Sequence, residues 1–231
     1  MPVSRRTKLL EQCDDSVNGS TLTNHVSSGG SIPASSLIFK ASDNAHVARL
    51  LVREYHYSHR EPANVQLIGS LHLDRRMVAA CFFSIPPTRW SERVIELSRL
   101  VRVEDCRVPL TMLISLSLRE VRKRFDLVVS FADVSKDHHG GIYQACSWNY
   151  HCLRQPRVDA NIVNGRLIPR RSCYSIFGTS SASRIALENG LEVKEHWDEG
   201  KHLYWRALSK SGNFKAIQLG LTSNPYPKPN R

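Results

Sequence analysis

The feature that most restricts the fold is a change of hydrophobic period along the middle of the chain. Residues 65–71 and 77–83 are two apolar, β-rich runs separated by the polar turn Asp74-Arg75-Arg76, the pattern of an antiparallel hairpin. A third run, 94–101, leads into a segment where Ile114, Leu118, Val121 and Phe125 recur at intervals of four, three and four. Arg119, Arg122, Lys123 and Arg124 occupy the other side, which is the period of an amphipathic helix. Another apolar strand, 127–132, follows. Strands interleaved with helices in this way make a mixed α/β (α+β) sheet covered by helices, although secondary structure alone does not select one fold within that class.

The remaining elements extend the same plan. A strand over 37–40 precedes a helix started by Asp43, which carries Ala45, Val47, Ala48, Leu51 and Val52 and ends near Tyr55. A short helix is expected over 142–148, a strand over 172–176, a helix over 181–189 stopped by Gly190, and a last strand over 203–208. Residues 1–36, rich in Ser, Thr, Asn and Gly, read as a flexible arm whose Arg5, Arg6 and Lys8 could touch a phosphate backbone. The domain is therefore 37–208, and 209–231 reads as a basic, proline-containing tail.

Charge narrows the class of partner. The 231 residues carry a formal net charge of +11. No acid follows Glu199, and between Asp137 and Glu188 only Asp159 is acidic. Such an excess suits a polyanion, because neutralising phosphates releases counterions condensed on the nucleic acid. Arg170, Arg171 and Lys201 are the candidate phosphate contacts, with Trp148 as a base-stacking residue. No long apolar run or signal sequence is seen, so no membrane is expected and a cytoplasmic location is. The six cysteines have no CxxC pair and read as reduced thiols; Cys146 and Cys152 with their neighbouring histidines form the only local cluster with zinc-like composition.

Three groups of residues could carry chemistry. The first is the segment 131–150, where an apolar strand delivers Asp133 at its C-terminal end and a His138-His139-Gly140-Gly141 loop leads to Tyr143. Asp133 reads either as an acid or base beside His138 and Tyr143 or as a turn cap, and Tyr143 either as catalytic or as core. The second is His56 with Tyr57, suited to acid–base work or metal binding and equally to a structural role. The third is Glu96 and Ser98, which strict alternation sets on one face of their strand, pointing into a cleft or out to solvent.

Taken in order, the blocks Phe131-Ala132-Asp133, His138, Gly140, Ile142-Tyr143-Gln144-Ala145 and Trp148-Asn149-Tyr150 resemble the Mom family of phage DNA-modification proteins. His56-Tyr57-Ser58, Glu96-Leu97-Ser98-Arg99-Leu100 and Gly200-Lys201-His202-Leu203-Tyr204 fit the same family in the same order, so the resemblance covers 37–208. It implies a GNAT-like N-acyltransferase fold and an enzyme that converts adenine in phage double-stranded DNA to N6-carbamoylmethyladenine. That modification shields the DNA from restriction endonucleases in the host cell cytoplasm.

Acetyl-CoA or another donor, and iron, are the implied cofactors. In a GNAT-like fold the donor would lie along Val101, Val103, Arg107 and Thr111, yet the stretch 103–111 has no glycine and holds two acids, Glu104 and Asp105. His56, Asp133 and His138 are the candidate iron ligands, as two histidines and a carboxylate. Two other readings stay open: an ordinary GNAT N-acetyltransferase, and a non-enzymatic phage DNA-binding regulator. The oligomeric state is not legible.

Overall fold

A computed structural model describes residues 34–42, 45–86, 90 and 92–228. Arg5, Arg6, Lys8 and Asp43 lie outside the described residues. The chain forms two compact units. One takes the described residues of Met1–Ser130 with Ile142–Asn149 and Trp205–Thr222, and the other Phe131–Gly141, Tyr150–Tyr204 and the described part of Ser223–Arg231.

The first unit opens with β1 (Ile38–Ser42), α1 (His46–Tyr55), β2 (Val65–Leu73), β3 (Arg76–Ser84), β4 (Val94–Arg102) and α2 (Leu110–Val121), followed by β5 (Leu127–Asp133), whose last three residues pass into the second unit. The expected hairpin is present, with Leu73 opposite Arg76. Its two turn residues, Asp74 and Arg75, have φ of 49° and 68°, as a type I′ connection demands. β1 to β4 run antiparallel, and β4 pairs parallel with β5.

Ala48, Leu51 and Val52 of α1 are buried with Ile68, Met77, Ala80, Phe82, Val101 and Val103. Helix α2 buries Leu113, Ile114, Ser117, Leu118 and Val121 and packs on β1, β2 and β3. It comes so close that a Cβ on Gly69 would lie 1.9 Å from Ser117 Oγ. Phe125 is buried, though it lies past the end of the helix its spacing suggested.

The order continues with α3 (Gly141–Ala145), β6 (Asn149–Arg154), β7 (Val158–Val163), β8 (Arg166–Pro169), α4 (Arg170–Phe177), α5 (Ala182–Asn189), β9 (Val193–Trp197), β10 (Lys201–Ala207) and α6 (Lys210–Gln218). The strands make one mixed seven-stranded sheet, ordered β1-β2-β3-β4-β5-β10-β6, and one three-stranded sheet, β8-β7-β9. The mixed α/β class expected from the sequence is thus present.

Two expectations change. Residues 172–176 are helical, because Pro169 and the left-handed Gly178, whose N–H donates to Tyr174 O, bracket a segment that buries only Cys173. The segment 209–231 begins with the helix α6, capped by Ser209 and holding Ala216 in the core. Among the described residues no helix is long and apolar enough to cross a membrane.

Candidate active-site residues

In the first unit α1 ends at His56, whose imidazole is 7% exposed. The Ser58 backbone N–H donates to His56 Nδ1 at 3.1 Å, and Ser58 Oγ lies 2.8 Å from the same atom. A backbone N–H can only donate, so Nδ1 is an acceptor and the neutral ring carries its proton on Nε2. His56 therefore presents an N–H there, and its service as a proton acceptor, open from the sequence, would require the tautomer to change. Tyr57 packs its ring against His56 at 4.3 Å and is 45% exposed.

A second cluster forms where β4 and β5 part. Their pairing runs from Val94 opposite Leu127 to Glu96 opposite Val129. Past that point a side chain replaces the ladder, and Ser130 Oγ donates to Leu97 O at 2.7 Å. Ser130 Oγ also lies 2.7 Å from the Tyr143 hydroxyl. A carbonyl only accepts, so the single serine proton goes to Leu97 and the Tyr143 hydroxyl donates to Ser130.

Tyr143 is buried and packs against Trp148 at 5.2 Å. The Trp148 indole is fully buried, so it shapes the support under Tyr143 and is not placed to stack on a DNA base. The expected alternation of Glu96 and Ser98 is broken, because Phe82 pairs with Arg99 and Phe83 with Leu97, which leaves Ser98 as the extra residue of a bulge in β4. Ser98 Oγ is spent on Phe82 O at 3.1 Å.

Of the expected donor contacts, Val101 and Val103 are core residues. Val103 also donates its amide to Val78 O and accepts from Cys106 N. Neither side chain faces a ligand, and Val103 has its backbone engaged as well. Arg107 is exposed, and α2 begins after Pro109 without a side-chain cap; its ladder starts with the Met112 and Leu113 amides donating to Pro109 O, which leaves the Leu110 and Thr111 amides ahead of it.

The second unit holds Asp133 at the end of β5. Its Oδ1 accepts from Ser135 N at 3.1 Å and from Ser135 Oγ at 2.7 Å, which makes Asp133 the cap of a 3₁₀ turn over Val134–Lys136. Oδ2 lies 4.0 Å from Lys201 Nζ. One carboxylate oxygen thus caps the turn, as one of the two readings expected, and the other faces a cation.

The loop after it is fixed by Gly140, at φ 81°, where a Cβ would come within 2.2 Å of the Tyr204 ring. Tyr204 donates to His139 O at 2.6 Å and packs on Tyr150 at 5.2 Å. Tyr150 OH lies 3.1 Å from His202 Nδ1, and burial followed by the nearby His139 holds the His202 pKa below its ordinary value. Sequence reasoning did not pair Tyr150 with His202, because 51 intervening residues separate them; the blocks Trp148-Asn149-Tyr150 and Gly200-Lys201-His202 contained both residues without linking them. Arg170 and Arg171 are both exposed at the start of α4.

A profile of the Mom protein family matches residues 37–228. The chain belongs to the Mom family. No match is found among functionally curated proteins. Solved structures similar to this Mom-family chain are acetyltransferases. The ribosomal-protein-S18-alanine N-acetyltransferase of Escherichia coli is 10% identical, with a TM-score of 0.46 over 76% of this chain and 97% of that one. A GNAT-family acetyltransferase of Elizabethkingia anophelis with acetyl-CoA bound is 7% identical, with a TM-score of 0.46 over 74% and 98%. A putative acetyltransferase of Salmonella typhimurium with acetyl-CoA is 10% identical, with a TM-score of 0.46 over 76% and 95%.

Two implied groups can be tested against the residues. For iron, no set of three or more His, Cys, Asp or Glu side chains is gathered among the described residues, so the trio His56, Asp133 and His138 does not form a ligand set. His56 Nδ1 and Asp133 Oδ1 are moreover taken by Ser58 and Ser135. Among the described residues Cys146 and Cys152 likewise belong to no set of three or more zinc-type ligands, and burial raises the Cys146 pKa, away from the thiolate a metal needs. For an acyl-CoA, Arg107 and the first-turn amides of α2 fit an anionic diphosphate, with Glu104 and Asp105 opposing it.

Proposed function

We propose that this chain is a DNA-modifying enzyme that acts on the N6 amine of adenine in double-stranded phage DNA. The product would be N6-carbamoylmethyladenine, and its benefit the evasion of host restriction endonucleases in the host cytoplasm. The family match across 37–228 carries this reading. The formal net charge of +11 supports a polyanionic substrate.

The chemistry asked of the residues follows from the amine. Its lone pair is delocalised into the ring, and in a duplex the group is paired and stacked. The base has to be extruded, at a cost of roughly a few kcal/mol, and held by stacking. Tyr57, half exposed beside His56, is the ring suited to that task. His56 offers Nε2–H as a hydrogen-bond donor, while Asp133 Oδ2 is the carboxylate oxygen left to take a proton from the amine. The Tyr143 hydroxyl is held in orientation by Ser130.

A donor held at Arg107 and the start of α2 would supply an activated acyl group. Acyl transfer alone gives an amide, whereas a carbamoylmethyl group is joined through its methylene carbon, so the C–N bond needs a further step. Attack of the amine of a glycinamide-type co-substrate on adenine C6, with the original amino group protonated and leaving as ammonia, is one route that balances and gives the product. No step is assigned to iron, since the residues do not fit it.

The uncapped start of α2 favours a second reading, an N-acetyltransferase acting on a protein or small molecule. Nucleoside mass spectrometry of host DNA after expression separates the readings. Modified adenine is expected with the wild-type chain and none with Asp133→Ala. Unmodified DNA together with a newly acetylated protein or metabolite would overturn the first reading in favour of the second.

A further inference from the structure

Charge is sorted to opposite edges of the three-stranded sheet. Strands β8 and β9 flank β7 on its two sides. Between Asp159 and Glu188 the chain has no acid, and Arg166, Arg170 and Arg171 lie on β8 or on α4, the helix that packs on β7 and β8. Glu192, Glu195, Asp198 and Glu199 lie on or beside β9.

Local pairing does not cancel the basic edge. Asp159 pairs with His196, Glu188 with Arg184, Glu192 with Lys194 and Asp198 with Lys201. Among the described residues, Arg166, Arg170 and Arg171 have no carboxylate within ion-pair distance. Arg170 and Arg171 also occupy the first two positions of α4, where the helix dipole disfavours cations and no acid is present in the first turn. Such a placement suits an anion brought from outside.

Tyr174 adds a second kind of contact. It lies three and four residues after the two arginines, so all three share a face of α4, and it is 66% exposed. The face stands on a fixed base, because Cys173 is fully buried and the buried Asn161 donates to Ser180 O at 3.2 Å. Phosphates alone would require only the cations. An exposed phenol ring between them suits a base with an open face, which a stacked duplex does not offer.

We infer that the Arg170–Arg171–Tyr174 face of α4 docks an unpaired DNA strand, with Tyr174 stacked on a base and the arginines on flanking phosphates. The inference rests on reading the chain as an enzyme of DNA, since base extrusion leaves unpaired nucleotides, but its test measures binding and not modification.

The experiment is fluorescence anisotropy on the full chain with a labelled single DNA strand, the matching duplex and the RNA strand of the same sequence. Tyr174→Ala is expected to weaken single-strand binding about tenfold without altering its salt dependence. R170Q/R171Q is expected to reduce the slope of log affinity against log salt by about 1.4, at ~0.7 per phosphate contact. Glu192→Gln with Glu195→Gln, on the opposite edge, should leave binding within twofold of wild type.

Wild-type binding by Tyr174→Ala, or a preference for the duplex or the RNA strand, would overturn the proposal. All these side chains are exposed, so unchanged circular-dichroism melting checks that the fold is intact. Expected binding with unmodified host DNA would sink the proposed enzymatic function and leave the docking face standing; modified DNA with binding indifferent to Tyr174→Ala would do the reverse.

Discussion

At the scale of single residues, Tyr143 has a hydroxyl whose role is separable from its ring. Tyr143→Phe keeps the packing on Trp148 and leaves Ser130 bonded to Leu97, so the expected loss of stability is about 1 kcal/mol by urea titration. Modified adenine should nevertheless disappear from host DNA. At His56, glutamine keeps an N–H near the position of Nε2 and alanine does not. His56→Gln should therefore retain more modification than His56→Ala, and equal inactivity of the two would point to proton abstraction by the ring.

Arg75 sits at φ 68° in the hairpin turn, where glycine removes the steric penalty, so Arg75→Gly is expected to stabilise the chain by about 1 kcal/mol. Burial depresses the pKa of His151 and of His202 below the ordinary 6.5. Their neutral forms thus contribute stability above about pH 6.5, and this is lost as pH falls through the folded values. Urea midpoints should drop between pH 7 and pH 5, and His151→Asn with His202→Asn should flatten that drop.

At the scale of elements, α6 is tied to the first unit by more than its own turn. Ser209 Oγ donates to Asp126 Oδ1 and accepts from Gly212 N, and a Cβ on Gly212 would lie 1.9 Å from Asp126 O. Gly212→Ala should lower the melting temperature by several degrees, while the exposed Gly220, with open space around it, is the control in which only φ strain is added.

The sequence made the hairpin, α1, α2 and α5 legible because each has an uninterrupted period or an unambiguous cap, as Ser181 and Gly190 are for α5. It concealed α4 because Cys173, Tyr174 and Ile176 are residue types common in strands, and the terminal residues Pro169 and Gly178 decide the matter. The β7–β8 hairpin had a signal, Asn164-Gly165, both at positive φ, between Val163 and Arg166. Of the candidate site, Asp133, Tyr143 and His56 were visible as residue types at strand and helix ends. What periodicity could not convey is how individual atoms are committed: Nδ1 of His56 and Oδ1 of Asp133 are taken, the bulge upsets Ser98, and Trp148 is sealed inside.

At the scale of the whole molecule, the net charge of +11 leads us to expect that the proposed DNA binding depends on salt. If six to ten phosphates are contacted, raising salt from 50 to 200 mM should weaken binding by roughly 10³-fold or more. Both units are assembled from separate stretches of chain. The unit that begins with β1 also requires Trp205–Thr222, where Trp205 Nε1 donates to Thr222 O and Leu208 N to Asp126 O. As the chain leaves a ribosome, β2 and β3 can pair early, but the bonds that close their unit wait until Trp205–Thr222 has emerged. At about 5–20 residues per second the partly built sheet is exposed for several seconds, an interval in which a chaperone has time to bind it.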